Sequence, residues 1–143
     1  WLAWADREAD YTDFLMAVDA QQLSADVPTE MGVVFRVQDE ANFYFFFIDN
    51  TGRYSLWKKI DDEWQALSDW AKTDAIDTSA DAENRLAVLA EGTSIAVSVN
   101  DQVLTTAEDD SLAQGRIGLA VGTFATPGAE AAFDTVELWE LNR

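Results

Sequence analysis

Four residues between Met31 and Ile60 carry chemistry that a surface could use: Arg36, Tyr44, Tyr54 and Lys58. A tyrosine offers a flat apolar ring with a polar tip, while guanidinium and ammonium groups are fixed hydrogen-bond donors. Set side by side, they would stack on the apolar face of a sugar and bind its hydroxyls, and the same mixture suits a protein interface. Trp64 and Trp70, on the adjoining segment, add two large rings to this candidate ligand-binding set.

Acidic residues form the second group. Asp74, Asp77, Asp81 and Glu83 sit together in a stretch with little periodicity, and hard cations such as calcium need several oxygens converging from loops. No EF-hand spacing is present, so a solvated acidic loop stands beside the calcium reading. No cofactor is required by any motif.

The missing residue types exclude more than the present ones establish. The chain has no cysteine, which removes disulfides, thiolate metal sites and cysteine nucleophiles. It has no histidine, which removes the commonest general base and any Ser-His pair. No glycine-rich phosphate loop appears. Nine Lys+Arg against 27 Asp+Glu give a formal charge of −18, which repels a phosphate backbone or an anionic membrane, so nucleic acid is excluded as a partner. No run approaches the eighteen or so apolar residues of a membrane span, so no insertion within this chain is expected.

These residues must be held by strands. The run MGVVFRVQDEANFYFFFIDNTGRYSLWKKI reads as a three-stranded meander: Val33 to Gln38, Asn42 to Asp49 and Arg53 to Ile60, with Asn50-Thr51-Gly52 as a bulged turn. Pairing Asp49 with Arg53 puts Phe43, Phe45, Phe47, Ser55 and Trp57 on one face. Folding the first strand back adds Val33, Phe35 and Val37. This nearly apolar face is expected to be the core, with Trp57, Trp64 and Trp139 serving structure. Val34, Arg36, Gln38, Tyr44, Phe46, Ile48, Tyr54, Leu56 and Lys58 are expected on the opposite, ligand-facing side.

Tyr11 to Ala20 reads as an earlier strand, and Gln21 to Glu30, with Pro28, as a polar loop. Trp64 to Leu67 follows the Asp61-Asp62-Glu63 turn as a short strand, and Ala71 to Asn84 reads as a long loop. Strands then resume at Arg85 to Ala90, Thr93 to Val99, after the Asn100-Asp101 hairpin turn, at Arg116 to Gly122 and at Ala131 to Leu141. Inward candidates are Leu86, Val88, Ile95, Val97, Leu104, Ile117, Leu119, Val121 and Phe133. Short strands at this spacing imply an all-β, two-sheet antiparallel sandwich, and 143 residues suit a single domain spanning 1–143.

The order GVVFRVQDEANFYFFFIDNTGRYSLWKK, EWQALSDW, ENRLAVLAEG, VNDQVL, GRIGLAVGTFATPGAEAAFDTVEL resembles the concanavalin A-like jelly-roll domains of bacterial extracytoplasmic proteins. These are labelled laminin-G-like, family-16 glycoside-hydrolase-like or 3-keto-disaccharide hydrolase-like. The resemblance runs from Tyr11 to Leu138 and identifies a fold better than an activity. It implies secretion or surface display, sugar binding or adhesion, and a calcium ligand at Asp134. Such domains open with an N-terminal strand ahead of a segment like Trp1-Leu-Ala-Trp4, so the chain is expected to lack that strand. Because it begins at Trp1, it is expected to be a fragment or a processed product.

The resemblance also supplies a catalytic test. Related retaining glycosidases carry Glu-x-Asp-x-x-Glu, whose neighbouring carboxylates act as nucleophile and acid/base. The nearest string is Glu8-Ala-Asp10-Tyr-Thr-Asp13, which ends one methylene short. The expectation is therefore a non-catalytic extracytoplasmic module that binds glycan or another protein chain through Tyr44, Tyr54, Arg36 and Lys58. A glycoside or 3-keto-glycoside hydrolase or lyase stays open, as does a self-assembling surface or filament subunit joined as a homo-oligomer through exposed edge strands.

Overall fold

A computed structural model describes residues 10–22, 29–79, 82–122 and 131–141. The Trp1–Trp4 segment, Glu8, Pro28 and Asp81 lie outside the described residues.

Ten strands form in chain order: β1 (Phe14–Gln22), β2 (Glu30–Asp39), β3 (Asn42–Asp49), β4 (Arg53–Ile60), β5 (Glu63–Lys72), β6 (Glu83–Glu91), β7 (Ser94–Val99), β8 (Gln102–Glu108), β9 (Arg116–Gly122) and β10 (Ala131–Glu140). They make two five-stranded antiparallel sheets, ordered β10-β1-β6-β7-β8 and β5-β4-β3-β2-β9. The layered all-β jelly-roll sandwich expected from the sequence is the observed architecture. Among the described residues, no helix is long and apolar enough to cross a membrane.

The turns follow local chemistry. Gly52 takes φ +91°, the left-handed position required by the β3–β4 hairpin. The buried Asp49 carboxylate organises the same turn by accepting from Thr51 N, Thr51 Oγ1 and Arg53 N. At the β7–β8 turn Asn100 and Asp101 take φ 50° and 68°, and at β4–β5 Asp61 and Asp62 take 50° and 70°. These are two-residue turns whose left-handed pairs Asn and Asp tolerate best.

The core lies between the sheets. From one side come Phe14, Met16, Val18, Leu86, Val88, Ile95 and Val97, and from the other Met31, Val33, Phe35, Tyr44, Phe46, Ile48 and Leu56. This reverses the expected faces of β3 and β4: the Tyr44–Phe46–Ile48 side faces inward, and Phe43, Phe45 and Phe47 face out. β3 is buried along both faces, so alternation of polarity did not distinguish them.

The register of β2 differs as well. Val34 sits opposite Phe45 and Val33 opposite Phe46, one residue from the expected pairing. An irregularity between Phe35 and Asp39, with Arg36 at φ 49°, then restores Val37 to the side of Val34. Gly115 belongs to this feature. It exchanges backbone hydrogen bonds with Tyr11, and a Cβ on it would stand 2.3 Å from Arg36 C and 2.5 Å from Val37 N.

Candidate functional site

The four residues expected to face a ligand are placed between the sheets. Arg36 is 0% exposed. Its Nε and Nη2 donate to Thr12 O at 3.2 and 2.8 Å, and its Nη1 donates to Gly92 O at 2.8 Å and Leu112 O at 3.2 Å. Burial pulls its pKa down, opposed by the charge interactions with Tyr44 and with Asp13, 3.7 Å away. Arg36 is thus a clamp joining three connections.

Tyr44 is equally enclosed. Its hydroxyl donates to Asp109 Oδ1 at 2.7 Å and accepts from Leu112 N at 3.1 Å; burial and the Asp109 bond raise its pKa. Lys58 turns to the same carboxylate, 2.6 Å from Asp109 Oδ2, and to Ser111 Oγ at 2.8 Å. Burial alone would raise the Asp109 pKa, but hydrogen bonds from Lys58, Tyr44 and Ser111 outweigh it and hold the group at about 2. Tyr54 points its hydroxyl at Leu104 O, 3.3 Å away. As a correction to the sequence reading, Arg36, Tyr44, Tyr54 and Lys58 tie β2, β3 and β4 to opposing strands and loops. Arg36 and Tyr44 are 0% exposed, so neither presents surface outward.

The acidic residues of the calcium reading are described only in part, because Asp81 lies outside the described residues. Asp77 accepts from Ser79 N at 3.0 Å and from Ser79 Oγ, bonds that lower its pKa, so it organises a turn. Asp74 is exposed in the same loop, and Asp134 lies on β10 opposite Asp19 of β1. Among the described residues, no group of three or more Asp, Glu, His or Cys side chains is placed to hold a metal. Of the string Glu8 to Asp13, Asp13 accepts from Gly92 N at 2.7 Å and stands beside Arg36.

The outward face of the β5-β4-β3-β2-β9 sheet holds a different set of residues. Phe43, Phe45 and Phe47 form a row on β3, flanked by Val34, Val37 and Ala120 and covered in part by Trp57 and Trp70. From β5, Trp64 reaches over β4: its ring centroid lies 5.7 Å from Phe43, 6.4 Å from Phe45 and 6.5 Å from Trp57. Trp70 packs edge-on to Phe47 at 4.7 Å. Phe45 is 3% exposed beneath this layer, whereas Trp64 is 45% exposed.

Polar groups border the rings. Lys59 stands 5.4 Å over Trp64 and 5.8 Å over Phe43, with its Nζ 3.0 Å from Asp62. Together with Asp39, Glu40, Ala41 and Asp62 it lines a shallow depression of about 430 Å³. At the other end Arg53 lies over Trp70 at 4.8 Å and binds Asp49 at 2.8 Å. Trp57 Nε1 is buried without a hydrogen-bond partner. Exposed aromatic surface, acceptors and a donor thus meet at one end of this face, a set of groups of the kind that can stack on apolar rings and hydrogen-bond hydroxyls.

Of the six residues singled out from the sequence, Trp64 and Trp70 stand on this face. Sequence reasoning missed Phe43, Phe45, Phe47, Trp57 and Lys59 by assigning their side to the core, and it did not join Asp39, Glu40 and Asp62 to any site. One signal was available: Lys59 alternates with Trp57 and shares its face.

No family model and no curated protein sequence matches the chain. Solved structures do. The carbohydrate binding module CBM66 from Bacillus subtilis superposes with a TM-score of 0.81 at 22% identity, covering 96% of this chain and 81% of that one. The chain folds as a concanavalin A-like jelly roll. Sheep galectin-11, in complex with glycerol, shares that jelly roll with a TM-score of 0.70 at 13% identity, covering 96% of each chain. A β-glucanase of Bacillus licheniformis matches at 0.64 and 14% identity, over 91% of this chain and 66% of that one.

Proposed function

We propose that this jelly roll is a non-catalytic carbohydrate-binding module whose ligand lies on the outward face of the β5-β4-β3-β2-β9 sheet, stacked on Trp64. The observation that carries the reading is Trp64 itself. The residue is left 45% exposed over a packed aromatic layer, beside a depression bordered by Lys59 and three carboxylates. A sugar ring set there would cover apolar surface and meet Lys59 Nζ as donor and the carboxylates as hydroxyl acceptors. The carbohydrate-binding module and the galectin among the fold neighbours support this assignment.

We infer an extracytoplasmic location, where extended glycans are met; fractionation of producing cells checks it. Binding is tested by a glycan array followed by calorimetry on wild type and Trp64→Ala. The expected loss is about tenfold or more in affinity, roughly 1.4 kcal/mol. An unchanged affinity removes Trp64 from the site, and an array without hits refutes the function. Concentration-dependent sedimentation abolished by Trp64→Ala would instead assign the face to self-assembly, and turnover of a bound oligosaccharide would make the protein a hydrolase.

A further inference from the structure

The charge of the face restricts the ligand further. The depression beside Trp64 is lined by one cation, Lys59, and three carboxylates, Asp39, Glu40 and Asp62. Lys59 is already engaged, 3.0 Å from Asp62 and seated over two rings. Arg53, at the Trp70 end, is likewise held by Asp49. Asp39 accepts from Asn42 Nδ2 at 2.9 Å and Ala41 N at 2.8 Å, bonds that lower its pKa and keep it ionised. A ligand carboxylate or sulfate at the depression would meet an excess of negative charge, in a chain whose formal charge is −18. Hydroxyl groups would meet acceptors.

We propose, building on the reading of this face as a glycan platform, that its ligand is an uncharged polysaccharide and that the site excludes glycans bearing uronate or sulfate. Within a Debye length, about 8 Å at physiological salt, the fixed carboxylates repel an anionic ring placed on Trp64. No paired cation is released to compensate unless the Lys59–Asp62 contact is broken first. Selection against anions follows from repulsion, and selection for hydroxyls from the acceptors that cause it.

The test uses the whole chain and oligosaccharides of matched length and linkage in neutral, uronate-bearing and sulfated series, titrated by calorimetry at low salt and at about 0.5 M salt. The neutral series is expected to bind with little salt dependence. The anionic series is expected to bind at least about tenfold more weakly at low salt, with the gap narrowing at high salt. The double variant Glu40→Gln/Asp62→Asn, in which asparagine tolerates the left-handed backbone of position 62 and folding is checked by circular dichroism, is expected to close most of that gap. Anionic glycans that bind as tightly as neutral ones at low salt, or a gap unaltered in the double variant, overturn the proposal while the platform reading stands. Binding by no member of any series, neutral included, refutes the platform reading and this proposal with it.

Discussion

Replacing Arg36 by methionine separates a structural clamp from a ligand contact. The native guanidinium, fully enclosed, donates to three carbonyls, those of Thr12, Gly92 and Leu112. Methionine retains most of the stem and none of the donors, so three acceptors lose their partner, and one of them, the Leu112 carbonyl, is buried. A buried acceptor left unsatisfied costs about 1–3 kcal/mol, and breaking a buried charged cluster costs about 3–5 kcal/mol in total. Removal of a desolvated charge returns part of this, which places the expected loss at about 3–4 kcal/mol. For a domain with roughly 5–15 kcal/mol of stability, that is a large fraction but not all of it. Urea unfolding followed by tryptophan fluorescence reads the change as a lower midpoint with an unchanged slope. Arg36→Lys, with one compact donor group in place of a fork, should fall between the two. At concentrations where the variant is folded, glycan affinity should match wild type within about twofold, because the side chain lies behind the sheet that carries Trp64. A stability loss below about 1 kcal/mol, or a loss of binding without a loss of stability, would refute the inward clamp.

Three other perturbations follow from the same structure. Burial, and then the Asp49 carboxylate directly across the β2–β3 ladder, push the Glu30 pKa from its ordinary 4.5 up to about 7, with Arg53 opposing. The folded protein therefore holds this proton more tightly than the unfolded chain: the contribution is intact below about pH 4.5 and is lost as pH rises through about 7. After discounting for a half-buried group, Glu30→Gln should stabilise by about 1–2 kcal/mol at pH 8 and by almost nothing at pH 4.5; equal effects at both pH values in urea titrations would contradict it. Gly115→Ala would put a methyl 2.3 Å from Arg36 C, so the Tyr11 bridge must open, at about 2–3 kcal/mol. A melting temperature within about 2 °C of wild type would show that the bulge yields freely. Asp109→Asn weakens the bonds that Tyr44 and Lys58 make to its two carboxylate oxygens, and should cost about 2 kcal/mol in chemical denaturation while leaving glycan affinity unchanged. A loss of affinity would instead connect the β8–β9 loop to the binding face.

Local signals in the sequence located most strands and turns, because Gly52 and Asn100-Asp101 tolerate the left-handed backbone that their hairpin turns require. What it did not reveal is which side of β3 faces the core, and the reason lies in partners far along the chain. Tyr44 and Arg36 looked like surface residues because each carries a polar tip. Their acceptors and donors come from Asp109, 65 residues away, and from Leu112, 76 residues from Arg36. No pattern within the meander announces that a loop will cross at that height. The β2 register failed for a related reason: the irregularity of β2 between Phe35 and Asp39 is accommodated by the close approach of Gly115, also supplied from the β8–β9 connection. Once those contacts satisfy the polar tips, the Tyr44 side can be enclosed at little cost and the all-phenylalanine side is left to face outward. An outward phenylalanine row stabilises nothing unless something covers it. Trp57, Trp64 and Trp70 cover most of it, and the exposed half of Trp64 is what remains for a ligand to cover. The inversion that sequence periodicity concealed is therefore the feature from which the binding proposal arises: with the Tyr44 side turned inward and its polar tips satisfied, the aromatic layer faces outward and leaves part of Trp64 uncovered.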